Sequence, residues 1–170
     1  MKNMKCFRSF KLIIGLLPVL LSYHQMAAQE NPPIPVEVEV NTAQFLDFGA
    51  FTVGENGGTV SVDHTGTRTW TDDITLLNSG STVSPALFDV YANPGTIITI
   101  THPPSFELTR GGQKISLEIN SYSTGNTFIS TQNSDIPNPV YIGGTLTLGS
   151  PSANTPGRYS GTIMITFNQQ

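Results

Sequence analysis

Along most of this chain the apolar positions alternate rather than recur at helical spacing. Near its end, Val140, Ile142, Gly144, Leu146 and Leu148 share one parity, and after a Ser/Pro/Asn/Gly-rich break Tyr159, Gly161, Ile163, Ile165 and Phe167 do the same. A period of two predicts half-buried strands in both places. The same alternation makes 113–121 a strand burying Ile115, Leu117 and Ile119 while Lys114, Ser116 and Glu118 face water. In 86–91 it buries Phe88 with Val90, which keeps the charge of Asp89 solvated, and in 96–101 it buries Ile98 and Ile100. The segments 59–63 and 67–77 form a hairpin across His64-Thr65-Gly66, and the threonines of the second raise its strand propensity. Residues 45–53 make a short aromatic strand whose Phe side chains fill the core and whose Gly49 marks a bulge or a close backbone approach. The Ser/Thr/Asn-rich stretch 122–139 reads as a long loop with one short strand near 127–130.

Turn signals recur roughly every 8–12 residues, and no helical period is visible beyond residue 28. A strand with one apolar face must be covered, and with no helices to cover it the cover is another sheet. The predicted fold class is therefore all-β, a sandwich of two mainly antiparallel sheets.

The first 28 residues follow another pattern. Lys2, Lys5, Arg8 and Lys11 precede or open an apolar run, LIIGLLPVLL, that is followed by a polar stretch ending Met26-Ala27-Ala28. This is the layout of a secretory signal peptide, and the run is far short of the ~20 residues that cross a bilayer. The expected organisation is a removed signal at 1–28, an extended N-terminal segment at 29–41 and a sandwich domain at 42–170, with no membrane span once the signal is gone. The destination is the periplasm, the outer cell surface or the medium. Cys6, the sole cysteine, leaves with the signal, so the remainder has neither disulfide nor thiolate, and no cysteine follows the apolar run to carry a lipid. Removal leaves Arg68, Arg110, Lys114 and Arg158 against all twelve acidic residues, a net charge of −8. That balance argues against nucleic acid or an anionic membrane as partner.

The segment 34–40 has Ile34, Val36, Val38 and Val40 on one face and Glu37 and Glu39 on the other. Two readings fit it. It is the first strand of its own domain, with solvated glutamates that discourage edge-to-edge association, or it is a donor strand that completes the sheet of a neighbouring subunit.

Candidate chemistry is sparse. His64 and His102 stand in turn-like contexts without metal-ligand spacing, and Asp72-Asp73, as strand neighbours, would point to opposite faces. Asp63, Asp72, Asp73 and Asp135 supply oxygen ligands suited to calcium but lack an EF-hand spacing. No Gly-x-Ser-x-Gly elbow occurs. The sequence therefore predicts no catalytic, metal or cofactor-binding residue and no cofactor. Trp70 is the main candidate for a sugar-stacking contact, with Tyr91, Tyr122 and Tyr141 as further rings that a platform or a core could equally use.

Five segments in order carry a family resemblance: LDFGAF at 46–51, GGTVSVDHTGTRTWTDDITLL at 57–77, GTIITI at 95–100, GGTLTLG at 143–149 and PGRYSGTIMITFN at 156–168. Together they resemble the secreted bacterial family catalogued as domain of unknown function 4402. That family is similar to the pilin-type subunits of the spore coat U and chaperone-usher group, in which an apolar N-terminal strand precedes a strand with Phe-Gly and the last strand begins Gly-x-Tyr. Phe48-Gly49 and Gly157-Arg158-Tyr159 match those places, and 34–40 matches the place of the donor strand. The cysteine pair typical of those pilins is missing, which puts use of their assembly chaperone in doubt. The resemblance implies an immunoglobulin-like, pilin-like sandwich, incomplete in one chain, and it implies no activity. The expected function is an exported, non-catalytic structural or adhesive protein whose partners are like subunits or other surface proteins reached by strand addition. The alternative is a carbohydrate-binding module with a glycan as partner.

Overall fold

The computed structural model describes residues 35–40, 44–78 and 80–170. The expected signal at 1–28 lies outside the described residues, as do Ile34 and the side chain of Val40. Twelve strands and no helix are found among the described residues. They are β1 (Glu37–Val40), β2 (Phe51–Val53), β3 (Gly58–Val62), β4 (Arg68–Trp70), β5 (Ile74–Leu76) and β6 (Ala86–Tyr91). Then follow β7 (Ile97–Thr101), β8 (Phe106–Arg110), β9 (Gln113–Tyr122), β10 (Thr127–Ile129), β11 (Asn138–Leu148) and β12 (Thr166–Gln169).

β11 is the hub of the larger layer because nearly every inward position in it is apolar or glycine and both of its edges are paired. One edge meets β6 over Asn138–Ile142 and then β3 over Gly144–Leu148, while the other meets β9, all antiparallel. The β11–β9 ladder shifts register at Gly143/Gly144, where β9 carries one extra residue, Asn120. β1 extends the sheet beyond β6, β4 beyond β3, and β8 beyond β9, giving seven strands. The second layer is in two pieces, a three-stranded sheet β10-β7-β12 and a two-stranded sheet β2-β5.

The alternation read from the sequence sets the core. Val60, Val62, Phe88, Val90, Ile115, Leu117, Ile119, Val140, Ile142, Leu146 and Leu148 of the larger sheet form one cluster with Phe48, Ile74, Ile98 and Ile100 of the second layer. Phe88 and Phe167 meet across the layers with ring centroids 5.5 Å apart, a distance at which tilted rings attract. The fold is thus an all-β, antiparallel sandwich.

Three local expectations change. The 67–77 segment splits into β4 and β5 at Asp72, whose φ of 56° breaks the strand, and β5 pairs with β2 instead of continuing the hairpin. Of the Phe residues in 45–53, Phe48 is buried and Phe51 half-buried, whereas Phe45 is 61% exposed. The alternating stretch 159–167 is not one paired strand: Ser160 bridges Thr109, pairing with β7 begins only at Thr166, and 161–165 belong to no ladder.

Candidate functional site

A groove runs between the β2–β5 piece of the second layer and the 157–163 segment, which is bridged at Ser160 to Thr109 of β8 before it leads into β12. Its walls are the 45–53 segment on one side and 157–161 with Ile163 on the other, and Ile115, Leu117 and Leu146 of the larger sheet lie in its floor. The space measures about 1000 Å³.

Strand geometry decides which backbone groups of the walls face the groove. Ala50 accepts a bond from the Leu77 amide at 3.0 Å and Gly54 donates to the Asp73 carbonyl at 2.7 Å, so both face β5. Backbone groups alternate in direction along a strand, which turns the amides and carbonyls of Phe51 and Val53 toward the groove. On the other wall Ser160 exchanges two bonds with Thr109, at 2.9 and 3.2 Å, which turns those of Tyr159 and Gly161 the same way. Among the described residues, 161–165 make no backbone–backbone hydrogen bond. The groove thus has an apolar floor, and among the described residues the backbone groups of Phe51, Val53, Tyr159 and Gly161 that face it have no backbone partner.

Each wall is fixed by contacts that carry no signal in the local sequence. Arg68 donates through Nη1 to the carbonyls of Phe48 (3.0 Å) and Ala50 (3.2 Å) and through Nη2 to that of Leu77 (3.5 Å), pinning the irregular 47–50 segment to the sheet edge. Gly49 is required there: its φ is +69°, and a Cβ would stand 2.5 Å from Arg68 Nη1. The close approach expected of this glycine is thus present. Opposite, the Tyr159 hydroxyl lies 2.8 Å from Gln113 Oε1 and 3.0 Å from the Thr155 carbonyl, while the Thr155 amide donates to the same Gln113 oxygen at 3.0 Å. Arg110 donates to Thr155 Oγ1 at 2.9 Å and lies over Gly157.

The residues singled out in the sequence fall elsewhere. β1 pairs antiparallel with β6 in its own chain at an edge of the larger sheet, and Val36 and Val38 pack partly buried against the core. Its outward glutamates crowd β6: Glu39 stands opposite Asp89, and Glu37 opposite Tyr91. Desolvation first, and then the carboxylates of Glu39, Asp89 and Glu37, push the Tyr91 phenol above its ordinary value. Trp70 is 53% exposed on the edge strand β4, and none of the ring pairs among the described residues includes it.

The titratable groups hold turns. Asp63 Oδ1 accepts from the Thr65 hydroxyl (2.6 Å) and from the amides of Thr65 (2.8 Å) and Thr67 (2.9 Å). The Thr65 hydroxyl foremost, with those amides, holds the Asp63 carboxyl below its usual value. Asp73 Oδ2 accepts from the Asn56 amide at 3.0 Å and side chain at 2.6 Å, and Asp72 from the Thr71 hydroxyl at 2.8 Å. His64 binds Ser121 Oγ through both its amide and Nδ1, each at 2.9 Å. His102 reaches the Tyr122 hydroxyl through Nε2 and lies 2.6 Å from the Pro103 carbonyl through Nδ1, and burial raises the Tyr122 phenol. Among the described residues no three His, Cys, Asp or Glu side chains stand where they could hold a metal ion, and no helix is long and apolar enough to cross a membrane.

Fold and groove together define a class: antiparallel β-sandwiches with a groove that opens onto the core. Within it, this chain belongs to the family described as Domain of unknown function (DUF4402), whose model matches residues 38–168. No curated protein and no solved structure matches the chain.

Proposed function

We propose that this chain is an exported, non-catalytic structural or adhesive subunit that joins other subunits by taking an extended strand into the groove between 45–53 and 157–163. The observation that carries this reading is the groove itself, an apolar floor flanked by two walls whose groove-facing backbone groups have no partner among the described residues. The likeness to pilin-type, immunoglobulin-like subunits supports it as well: Phe48-Gly49 lies in one wall and Gly157-Arg158-Tyr159 in the other. The N-terminal segment with Val36, Val38 and Val40 is the strand such a subunit donates, and the signal-like pattern at 1–28 supports export. The working location is the periplasm or the cell surface.

The test is the oligomeric state of the exported protein by size-exclusion chromatography with light scattering. The wild type forms multimers, and Ile163→Arg, which puts a charge on the groove wall, leaves monomers with an unchanged β-sheet circular dichroism spectrum. Multimers that survive in a folded Ile163→Arg variant, or a wild type that stays monomeric at every concentration reached, would overturn the reading.

One observation favours a second reading, a glycan-binding module: the exposed indole of Trp70, a ring that can stack on a sugar face. On a glycan array the wild type then retains a sugar that Trp70→Ala releases. Equal binding by the two proteins, or none by either, removes this reading.

A further inference from the structure

The groove gathers most of the basic side chains among the described residues of an acidic protein, and Asp47, which accepts from the Gly49 amide at 2.8 Å, is the one carboxylate among its lining residues. The described residues carry four basic side chains that matter to its charge, Arg68, Arg110, Lys114 and Arg158, and three of them gather there. Arg158 lines it, Arg110 lies against Gly157 of one wall, and Arg68 against Gly49 of the other. Lys114 pairs with Glu107 at 2.6 Å, the one ion pair among the described residues, so the three arginines have no carboxylate partner there. Arg68 is already engaged with three backbone carbonyls, which leaves Arg158 on the 157–163 wall and Arg110 of β8, bonded to the neutral Thr155 hydroxyl, as the cations placed to meet an incoming charge.

β1 has the opposite problem. In its own sheet Glu39 stands directly across from Asp89, and like charges in that position destabilise a strand pair. The six residues 35–40 span roughly 20 Å when extended, about the length of the seven-residue wall at 157–163. Laid in the groove, such a strand turns Val36, Val38 and Val40 to the floor and Glu37 and Glu39 outward. Arg158 shares that outward side, since it alternates with the half-buried Tyr159 and matches the parity of exposed Ser160.

We propose that Arg158 and Arg110 make the groove selective for a strand with an acidic outer face, and that this strand is the Pro35–Val40 segment of a second copy of the chain. This rests on the strand-accepting function proposed above and adds to it the chemistry by which the occupant is chosen. The exchange takes Glu39 away from Asp89 and brings it, with Glu37, to a basic rim.

The experiment uses two fluorescein-labelled peptides: one with the sequence of residues 34–41, and the same peptide carrying Glu37→Lys and Glu39→Lys. Each is titrated with the exported protein and followed by anisotropy. The acidic peptide binds roughly tenfold tighter than the lysine peptide, as expected of one or two partly screened charge pairs, and added salt narrows the gap. Arg158→Glu, an exposed substitution, erases or reverses the preference. Equal binding of the two peptides overturns the selection while leaving the groove as a strand acceptor. A preference that persists in both Arg158→Glu and Arg110→Glu also overturns it. Failure of both peptides to bind overturns the selection and the strand-accepting function together.

Discussion

Leu117→Ala lowers the unfolding free energy by about 2–5 kcal/mol, the usual cost of emptying a buried leucine site. Leu117 is 1% exposed in the middle of β9, with Leu146 of β11 and Phe106 of β8 as its register partners. Relaxation cannot close the gap cheaply, because all three strands are held in continuous ladders. The loss is a large share of the roughly 5–15 kcal/mol available to a domain. Urea unfolding followed by circular dichroism should show a lower midpoint with an unchanged slope, which marks a loss of stability without a change in the surface exposed. Leu117 also lies in the groove floor, so the same variant binds the 34–41 peptide more weakly. A midpoint within error of wild type would contradict this account of the core.

Gly143→Ala costs about 3 kcal/mol or more, near or beyond the upper end of ordinary overpacking. Gly143 is buried in β11 beside the register shift against β9, and a Cβ there would lie 2.7 Å from the Asp63 carbonyl carbon and 2.9 Å from its Cα, with the Val62 carbonyl oxygen closer still. Those atoms are backbone of the neighbouring β3 end, so relief requires a strand to move. Gly111→Ala is the control. It places its methyl in open space, and its φ of 53° costs only about 1–2 kcal/mol. Thermal unfolding of the two variants should separate them clearly, and equal losses would show that crowding at the bulge is not what fixes Gly143.

Where one residue's environment repeats every second position, the sequence was a sufficient guide. The buried triad of Ile115, Leu117 and Ile119, the choice of Phe88 and Val90 over Asp89, and the short strand inside 122–139 all follow from alternation and turn residues. Pairing partners did not follow from it. The stretch 159–167 alternates as a paired strand does, yet 161–165 have no ladder partner, because periodicity reports which face is buried and is silent about the edges. The groove was therefore illegible as a place, although the two motifs that form its walls, Phe48-Gly49 and Gly157-Arg158-Tyr159, were visible as residues. The hold of Arg68 on three carbonyls, up to twenty positions away in sequence, has no local signature at all.

β7 and β8 are nearly continuous in sequence, separated only by the 102–105 bend with its paired prolines, yet β7 belongs to the second layer and β8 to the larger sheet. One ribbon thus stitches the two faces of the sandwich together. Tension on a strand seated beside 157–163 would pass through β12 into β7, around the bend and along β8 and β9 into β11. From there it reaches β6 and β3 on the far edge of β11. Such a route crosses the sandwich through hydrogen-bonded ladders, so a pull on that strand would be shared by several rungs at once.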